Sequence, residues 1–121
     1  MVRQMTAEDH RQTAQDFLER SRLEFADGDE LQGSEKLWGA ASHVVMALAL
    51  QRGWPINKHS DLKRAVNDLS LETGDQALKF RFSVAEKFHA NYYHGFMDDF
   101  QIVDDRSMVE EFVTQLLEVS G

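Results

Sequence analysis

The sequence predicts an all-α protein, an antiparallel up-and-down bundle of four main helices plus a terminal helix. Apolar residues recur at three- and four-residue spacings along most of the chain. The single proline and most of the seven glycines lie between these periodic segments. No segment alternates apolar and polar residues as a half-buried strand does. We therefore expect residues 1–121 to form a single helical domain.

The first two helices are expected to form a hairpin. Thr6 and Asp9 make a capping-box pattern, which places the first helix at about residues 7–26. Asp27-Gly28-Asp29 then ends this helix and caps the next one, at about residues 30–52. The second helix is rich in alanine and glycine and is apolar nearly all round near its end. It should therefore be slim, central and buried.

The third and fourth helices follow a break at Gly53-Trp54-Pro55, where proline lacks a backbone donor and disfavours helix at the residue before it. Ser60 is expected to cap a short third helix over residues 61–72. The fourth helix is expected over residues 76–94, because Gly95 can end it in the left-handed conformation.

The last helix is expected over residues 106–119. Met108, Phe112 and Leu116 are part of its apolar stripe. The acidic pairs Asp98-Asp99 and Asp104-Asp105 precede it and are expected to flank a loop or a kink. We predict that these acidic residues cap helices and increase solubility, and that they do not form a catalytic carboxylate pair.

Composition limits the classes of function. The absence of cysteine excludes disulfides, thiolate metal sites and cysteine nucleophiles, and it suits a reducing cytoplasm. The N-terminus carries charges where a signal peptide needs apolar residues, and the longest apolar run, residues 44–50, is far shorter than the roughly 20 residues of a membrane span. The net charge of −8 opposes non-specific binding to nucleic acid or anionic lipid. We expect a cytoplasmic protein without membrane contact.

Polar chemistry is concentrated in residues 87–96, at the end of the fourth helix. This stretch holds a lysine, an asparagine, two histidines and two tyrosines within about three helical turns. Any catalytic hypothesis for this chain has to include it.

The chain resembles the HEPN superfamily (higher eukaryotes and prokaryotes nucleotide-binding domains), in particular its small stand-alone prokaryotic members. The resemblance covers about residues 10–118. It rests on the alanine-rich stretch 35–43, the His-x-x-Leu opening of the third helix at residues 59–62, and the Tyr-His-Gly-Phe end of the fourth at residues 93–96. It implies an all-α, HEPN-like bundle that often dimerises face to face.

Active members of this superfamily are metal-independent RNases with an Arg-x(4–6)-His motif. In that mechanism the histidine is acid or base at the ribose 2′-OH and the leaving oxygen, and the arginine steadies the phosphate. His94 matches the motif histidine, but no arginine stands at the required spacing, and Lys87 supplies only a point charge. Helical spacing places Lys87, Asn91 and His94 on one face, so they are the candidate catalytic residues of a degenerate motif.

We therefore favour a HEPN-like binding or interaction module that forms a homodimer and lacks efficient catalysis. The alternative is a toxin-like, metal-independent RNase that uses the degenerate motif. An antitoxin-like partner protein, and nucleic acid or a nucleotide, stay open as partners. A third alternative is a small-ligand pocket inside the bundle, between the second helix and Phe82 and Phe88. No cofactor is expected.

The histidines also have structural explanations. His94 is expected to interact with the free carbonyls at its helix end, and His89 to be a surface or dimer-contact residue. His43 is expected to be a satisfied core or interface residue, and His59 part of the third helix's cap. No metal site is expected, because the spacings of Glu86, His89 and His94 do not converge.

Overall fold

The computed structural model describes residues 4–121, which fold into five α-helices and contain no β-strand. The predicted all-α bundle is confirmed. Residues 1–3, which belong to the predicted domain and to the charged N-terminus, lie outside the described residues. Within 4–121, no helix is both long enough and apolar enough to cross a membrane. The helices are α1 (Ala7–Ala26), α2 (Glu30–Gln51), α3 (His59–Thr73), α4 (Ala77–His94) and α5 (Asp99–Ser120).

The α1–α2 hairpin begins as predicted. The Thr6 hydroxyl accepts a hydrogen bond from the Asp9 backbone N–H (3.1 Å), and the Asp9 carboxylate accepts one from the Thr6 N–H (2.9 Å). Asp29 caps α2 by accepting from the backbone N–H of Gln32 (3.0 Å). These short polar side chains satisfy donors that the first turn of a helix leaves free. The predicted bounds of both helices therefore agree with the structure to within one residue.

Helices α1 and α2 are antiparallel and very close together. A Cβ on Gly33 would lie 2.8 Å from the ring of Phe25, and one on Gly39 would lie 3.0 Å from the ring of Phe17. Both phenylalanines therefore occupy space that exists only because α2 carries glycine opposite them. The predicted slim second helix is confirmed.

Helix α2 is the centre of the bundle, since it contacts each of the other four described helices. Its inward surface is fully buried at Leu37, Val44 and Leu48. Phe82 and Phe88 of α4 are also buried in this core and fill it against α2. The space needed by the third alternative, an internal ligand pocket beside these two phenylalanines, is therefore occupied by side chains.

Helix α3 begins at His59, before the predicted cap at Ser60, so that prediction is wrong. The Asp61 carboxylate accepts hydrogen bonds from the backbone N–H groups of Asn57 (2.9 Å) and Lys58 (3.1 Å). Asp61, in the first turn, thus holds the two residues that precede α3, and Ser60 lies inside the helix and not before it.

The direction of α3 differs from strict up-and-down alternation. Its first residue, His59, packs on Trp38 in the middle of α2, and its last turn is joined to the end of α2 by the ion pair of Arg52 with Glu72. Helix α3 therefore runs parallel to α2. The segment 52–58, which contains the helix-breaking Pro55, leads the chain back along α2 before α3 starts.

Helix α5 starts at Asp99, seven residues before the predicted start at 106. Gln101 accepts a hydrogen bond from the Asp98 backbone N–H (2.9 Å) at this end. The loop or kink predicted between Asp98-Asp99 and Asp104-Asp105 is wrong, because the helix runs without a break from Asp99 through both residues of the second pair. Asp105 forms an ion pair with Lys87 of α4 at 2.5 Å. The positions of the acidic residues in the sequence do not predict this partner.

Candidate functional site

Asn91, the middle residue of the predicted triad, is buried and fully engaged. Its side-chain amide nitrogen donates to the hydroxyl of Ser34 (3.1 Å), and its side-chain oxygen accepts from the backbone N–H of Met97 (2.8 Å). The residue is 2% exposed. Its carboxamide therefore ties the end of α4 both to α2 and to the α4–α5 connection.

Lys87 and His94, the other two members, have different surroundings. The Lys87 ammonium is half-buried and pairs with the Asp105 carboxylate of α5. His94 is the last residue of α4 and is exposed, and Gly95 ends the helix in the left-handed conformation. Across the part of the chain that the structure describes, no hydrogen bond or ion pair joins any two of Lys87, Asn91 and His94.

Large apolar side chains are exposed around His94. They lie at the end of the bundle where α2 begins, α4 ends and α5 begins, and each residue is between 44% and 68% exposed. Exposed apolar groups of this kind mark contact surfaces when they are contiguous. We call this surface the α4–α5 patch, and its members are Leu31, Tyr93, Phe96, Phe100 and Val103.

The three helix ends that carry the α4–α5 patch are close to one another. The side chain of Leu31 comes within 3.9 Å of the Cβ position at Gly95. The Glu30 carboxyl lies beside that of Asp99, and both residues line one groove together with Val103. Residues from α2, the α4–α5 connection and α5 are thus neighbours here.

The rim of the α4–α5 patch is acidic. Glu30 and Asp99 bring two carboxyl groups together, and Asp98 is exposed beside them. Burial and the neighbouring Asp99 carboxyl raise the pKa of Glu30. Negative charge is therefore concentrated next to the exposed aromatic rings.

A second cluster surrounds Trp38 of α2. The rings of His59 and His89 lie against its indole at centroid distances of 5.7 and 5.2 Å. His59 is hydrogen-bonded through Nε2 to Glu86 (2.6 Å), and His89 through Nδ1 to Glu35 (3.1 Å). The two carboxylates fix the orientation of the imidazoles. His59 is thus tied to α4 in addition to standing in the first turn of α3.

The contacts around Trp38 also involve two of the residues considered as metal ligands in the sequence analysis, Glu86 and His89. Glu86 bonds His59, His89 bonds Glu35, and His94 is exposed at the helix end. Over residues 4–121, no group of three or more histidine, aspartate or glutamate side chains is placed to hold a metal ion.

A histidine pair joins α1 to α2 far from the turn that connects these two helices. His10 and His43 are hydrogen-bonded through their Nδ1 atoms at 2.8 Å, and their rings are stacked at 5.1 Å. Phe17 stacks on His43 as well. The expected structural role of His43 agrees with this placement, whereas no sequence motif points to His10. The sequence does contain a signal for this contact. His10 and His43 are at similar distances along the chain from the turn at Gly28, and such residues lie side by side in an antiparallel hairpin.

Both histidines of this pair resist protonation. Burial, and next to it the neighbouring His10, lowers the pKa of His43 to about 4. Burial also lowers the pKa of His10, although the Asp9 carboxylate acts in the opposite direction. The pair is therefore neutral at pH 7, with one Nδ1–H donating to the other Nδ1.

Comparison with known proteins places the chain in a family. The sequence model of a family described as Archaeal PaREP1/PaREP8 family matches residues 9–113, which include part or all of each described helix. No curated protein and no solved structure matches the chain.

Proposed function

We propose that this chain, which belongs to the archaeal PaREP1/PaREP8 family, is a HEPN-like helical binding module that acts as a homodimer and lacks efficient catalysis. The observation that carries the proposal is the α4–α5 patch, which exposes several large apolar side chains at one end of the bundle. The engagement of Asn91 and Lys87 in internal contacts supports the absence of catalysis, because neither side chain is free for a substrate.

The α4–α5 patch suits contact with another copy of the chain. Phenylalanine and tyrosine are enriched in the centres of protein interfaces, and burying them releases water from apolar surface. A two-fold contact uses the same patch on both copies, so one exposed surface satisfies both partners. The homodimer therefore needs no second apolar surface on the molecule.

The acidic rim gives the dimer a characteristic salt dependence. A two-fold dimer over this patch brings the acidic rim of both copies, Glu30, Asp98 and Asp99, to one interface. Added salt screens this repulsion and leaves the apolar contact intact. The homodimer should therefore tighten as salt increases, whereas a basic partner protein or another cationic ligand would bind less tightly.

Replacing Phe100 by serine tests the dimer. The change removes an aromatic ring that is 68% exposed in the α4–α5 patch, and we expect dimerisation to weaken about 30-fold or more. The measurement is the dimer dissociation constant from sedimentation equilibrium at two salt concentrations. Phe80→Ser is the matched control, because Phe80 is 60% exposed at the far end of α4 and should leave the constant unchanged. A wild-type protein that stays monomeric at millimolar concentration contradicts the proposal.

The metal-independent RNase is the second candidate, and the position of His94 favours it. This exposed histidine lies between Tyr93 and Gly95, inside the proposed contact region. A two-fold dimer over the α4–α5 patch would bring both His94 side chains to one interface. Lys87 would have to leave Asp105 to reach a phosphate, which is why we place this function second.

His94→Ala separates the two candidates. Under the binding proposal, wild-type protein and His94→Ala cleave single-stranded RNA equally poorly in the presence of EDTA. Loss of a general acid or base costs about 10²- to 10⁴-fold in rate, so an RNase would show a clear difference. The folded state should be the same in both proteins, because His94 is exposed. Wild-type cleavage that His94→Ala abolishes, with unchanged circular dichroism, would replace the binding proposal by the RNase.

A further inference from the structure

A groove of about 580 Å³ lies at the end of the bundle opposite the α4–α5 patch. It runs between the start of α1, the end of α2 and the segment that leads to α3. Leu50, Trp54 and Ile56 give it apolar walls, and His10 and Asn57 add polar groups. A volume of this order is typical of small-molecule sites, and the lining combines apolar walls with a similar share of polar surface.

His10 is the built-in polar group of this groove. It is 6% exposed and is held by the hydrogen bond between its Nδ1 and that of His43. The other ring nitrogen of His10, Nε2, takes no part in the hydrogen bond between the two histidines. If His43 donates, the His10 proton lies on Nε2 and His10 offers a donor; if His10 donates, Nε2 is an acceptor. The pair can therefore match a ligand group of either kind without becoming charged.

We propose that this groove binds an uncharged planar ligand with one hydroxyl group, of the chemical class of the phenols. The ring would lie among Leu50, Trp54 and Ile56, and the hydroxyl would hydrogen-bond to His10. An aromatic ring matches the flat indole of Trp54, which is half-buried in the wall.

The surrounding charges favour a neutral ligand over a carboxylate. Burial keeps the His10–His43 pair neutral, so it offers no cation to an anion. The nearest basic group, Arg52 at the end of α2, lies over the Trp54 ring at 5.7 Å. Its guanidinium already donates to the Glu72 carboxylate and to the Leu48 carbonyl, so its charge is paired within the protein. A carboxylate would lose hydration in the groove without gaining a counter-ion.

The test is an NMR titration of the protein with 4-methylphenol, followed at the Trp54 indole N–H and at the His10 ring. We expect saturable shifts at both groups with half-saturation at about 1 mM, as suits a ligand of this size. Toluene, which lacks the hydroxyl, should bind about 3- to 10-fold more weakly. Benzoate should bind more weakly than 4-methylphenol.

His10→Phe provides the matched variant, since it keeps a ring in the wall and removes both ring nitrogens. It should reduce 4-methylphenol binding to the level of toluene while toluene binding persists, which shows that the groove is still folded. Leu50→Ala should weaken both compounds. If shifts do not saturate, or occur only at Tyr93 in the α4–α5 patch, the site is wrong. Tighter binding of benzoate, or an unchanged preference for 4-methylphenol in His10→Phe, would overturn the proposed ligand class.

Discussion

Replacing Asn91 by alanine is expected to lower the free energy of unfolding by about 3 kcal/mol. The substitution removes the acceptor of the Met97 backbone N–H and the donor to the Ser34 hydroxyl, both in buried surroundings. A buried polar group left without its partner costs about 1–3 kcal/mol, and the vacated volume adds to this. Urea unfolding followed by circular dichroism measures the change.

Two nearby substitutions act as controls for Asn91→Ala. Ser34→Ala removes only one of the two side-chain bonds and should cost about 1 kcal/mol. His94→Ala, one turn further along and exposed, should stay within about 0.5 kcal/mol of the wild type. If Asn91→Ala costs no more than His94→Ala, the proposed role of Asn91 in fastening the end of α4 is wrong. A large cost also means that lost activity in this variant would not identify a catalytic group.

Acidification is expected to destabilise the protein through the His10–His43 pair. The pKa of His43 is about 4 in the folded protein, below its ordinary value of 6.5, and that of His10 is lowered too. The unfolded chain therefore binds protons first as the pH falls. The contribution of the pair is complete above pH 6.5 and is lost as the pH falls from there towards about 4. Allowing for the partial exposure of His43, the loss should be about 2 kcal/mol.

His43→Gln isolates this effect from the titration of the carboxylates. Glutamine has polar atoms that can reach His10 but does not titrate, so the fall in unfolding free energy between pH 6.5 and 4.5 should be smaller in the variant. His89→Gln serves as the control histidine, because its ring is half-exposed and bonded to Glu35. Equal falls in the wild type and His43→Gln would show that the pair does not govern acid sensitivity.

The helix ends that the sequence predicted well are those with local signals. Thr6 with Asp9 starts α1, Asp29 starts α2, and Gly95 ends α4, and each of these acts within four residues along the chain. The predicted start of α5 is seven residues too late, because Asp104 and Asp105 have the polar character of a loop. Asp105 is accommodated in the helix by Lys87, whose proximity depends on the packing of α4 against α5.

The candidate site likewise depends on two things, of which helical spacing in the sequence predicts only one and tertiary packing decides the other. The spacing of Lys87, Asn91 and His94 describes positions along one helix but not what lies opposite them. Asn91 faces Ser34 and Lys87 faces Asp105, and these partners come from α2 and α5. The His10–His43 contact and the groove beside it depend on how α1 pairs with α2, together with the path of residues 54–57. Periodicity alone therefore does not predict them.

The central position of α2 also bears on how the chain reaches its folded state. Helix α1 is separated from α2 by three residues, so the most extensive helix pair in the described structure forms between near neighbours in sequence. Closing such a short loop costs little entropy, and helical proteins with many local contacts fold in microseconds to milliseconds. The α1–α2 hairpin can thus serve as an early template on which the other three helices assemble.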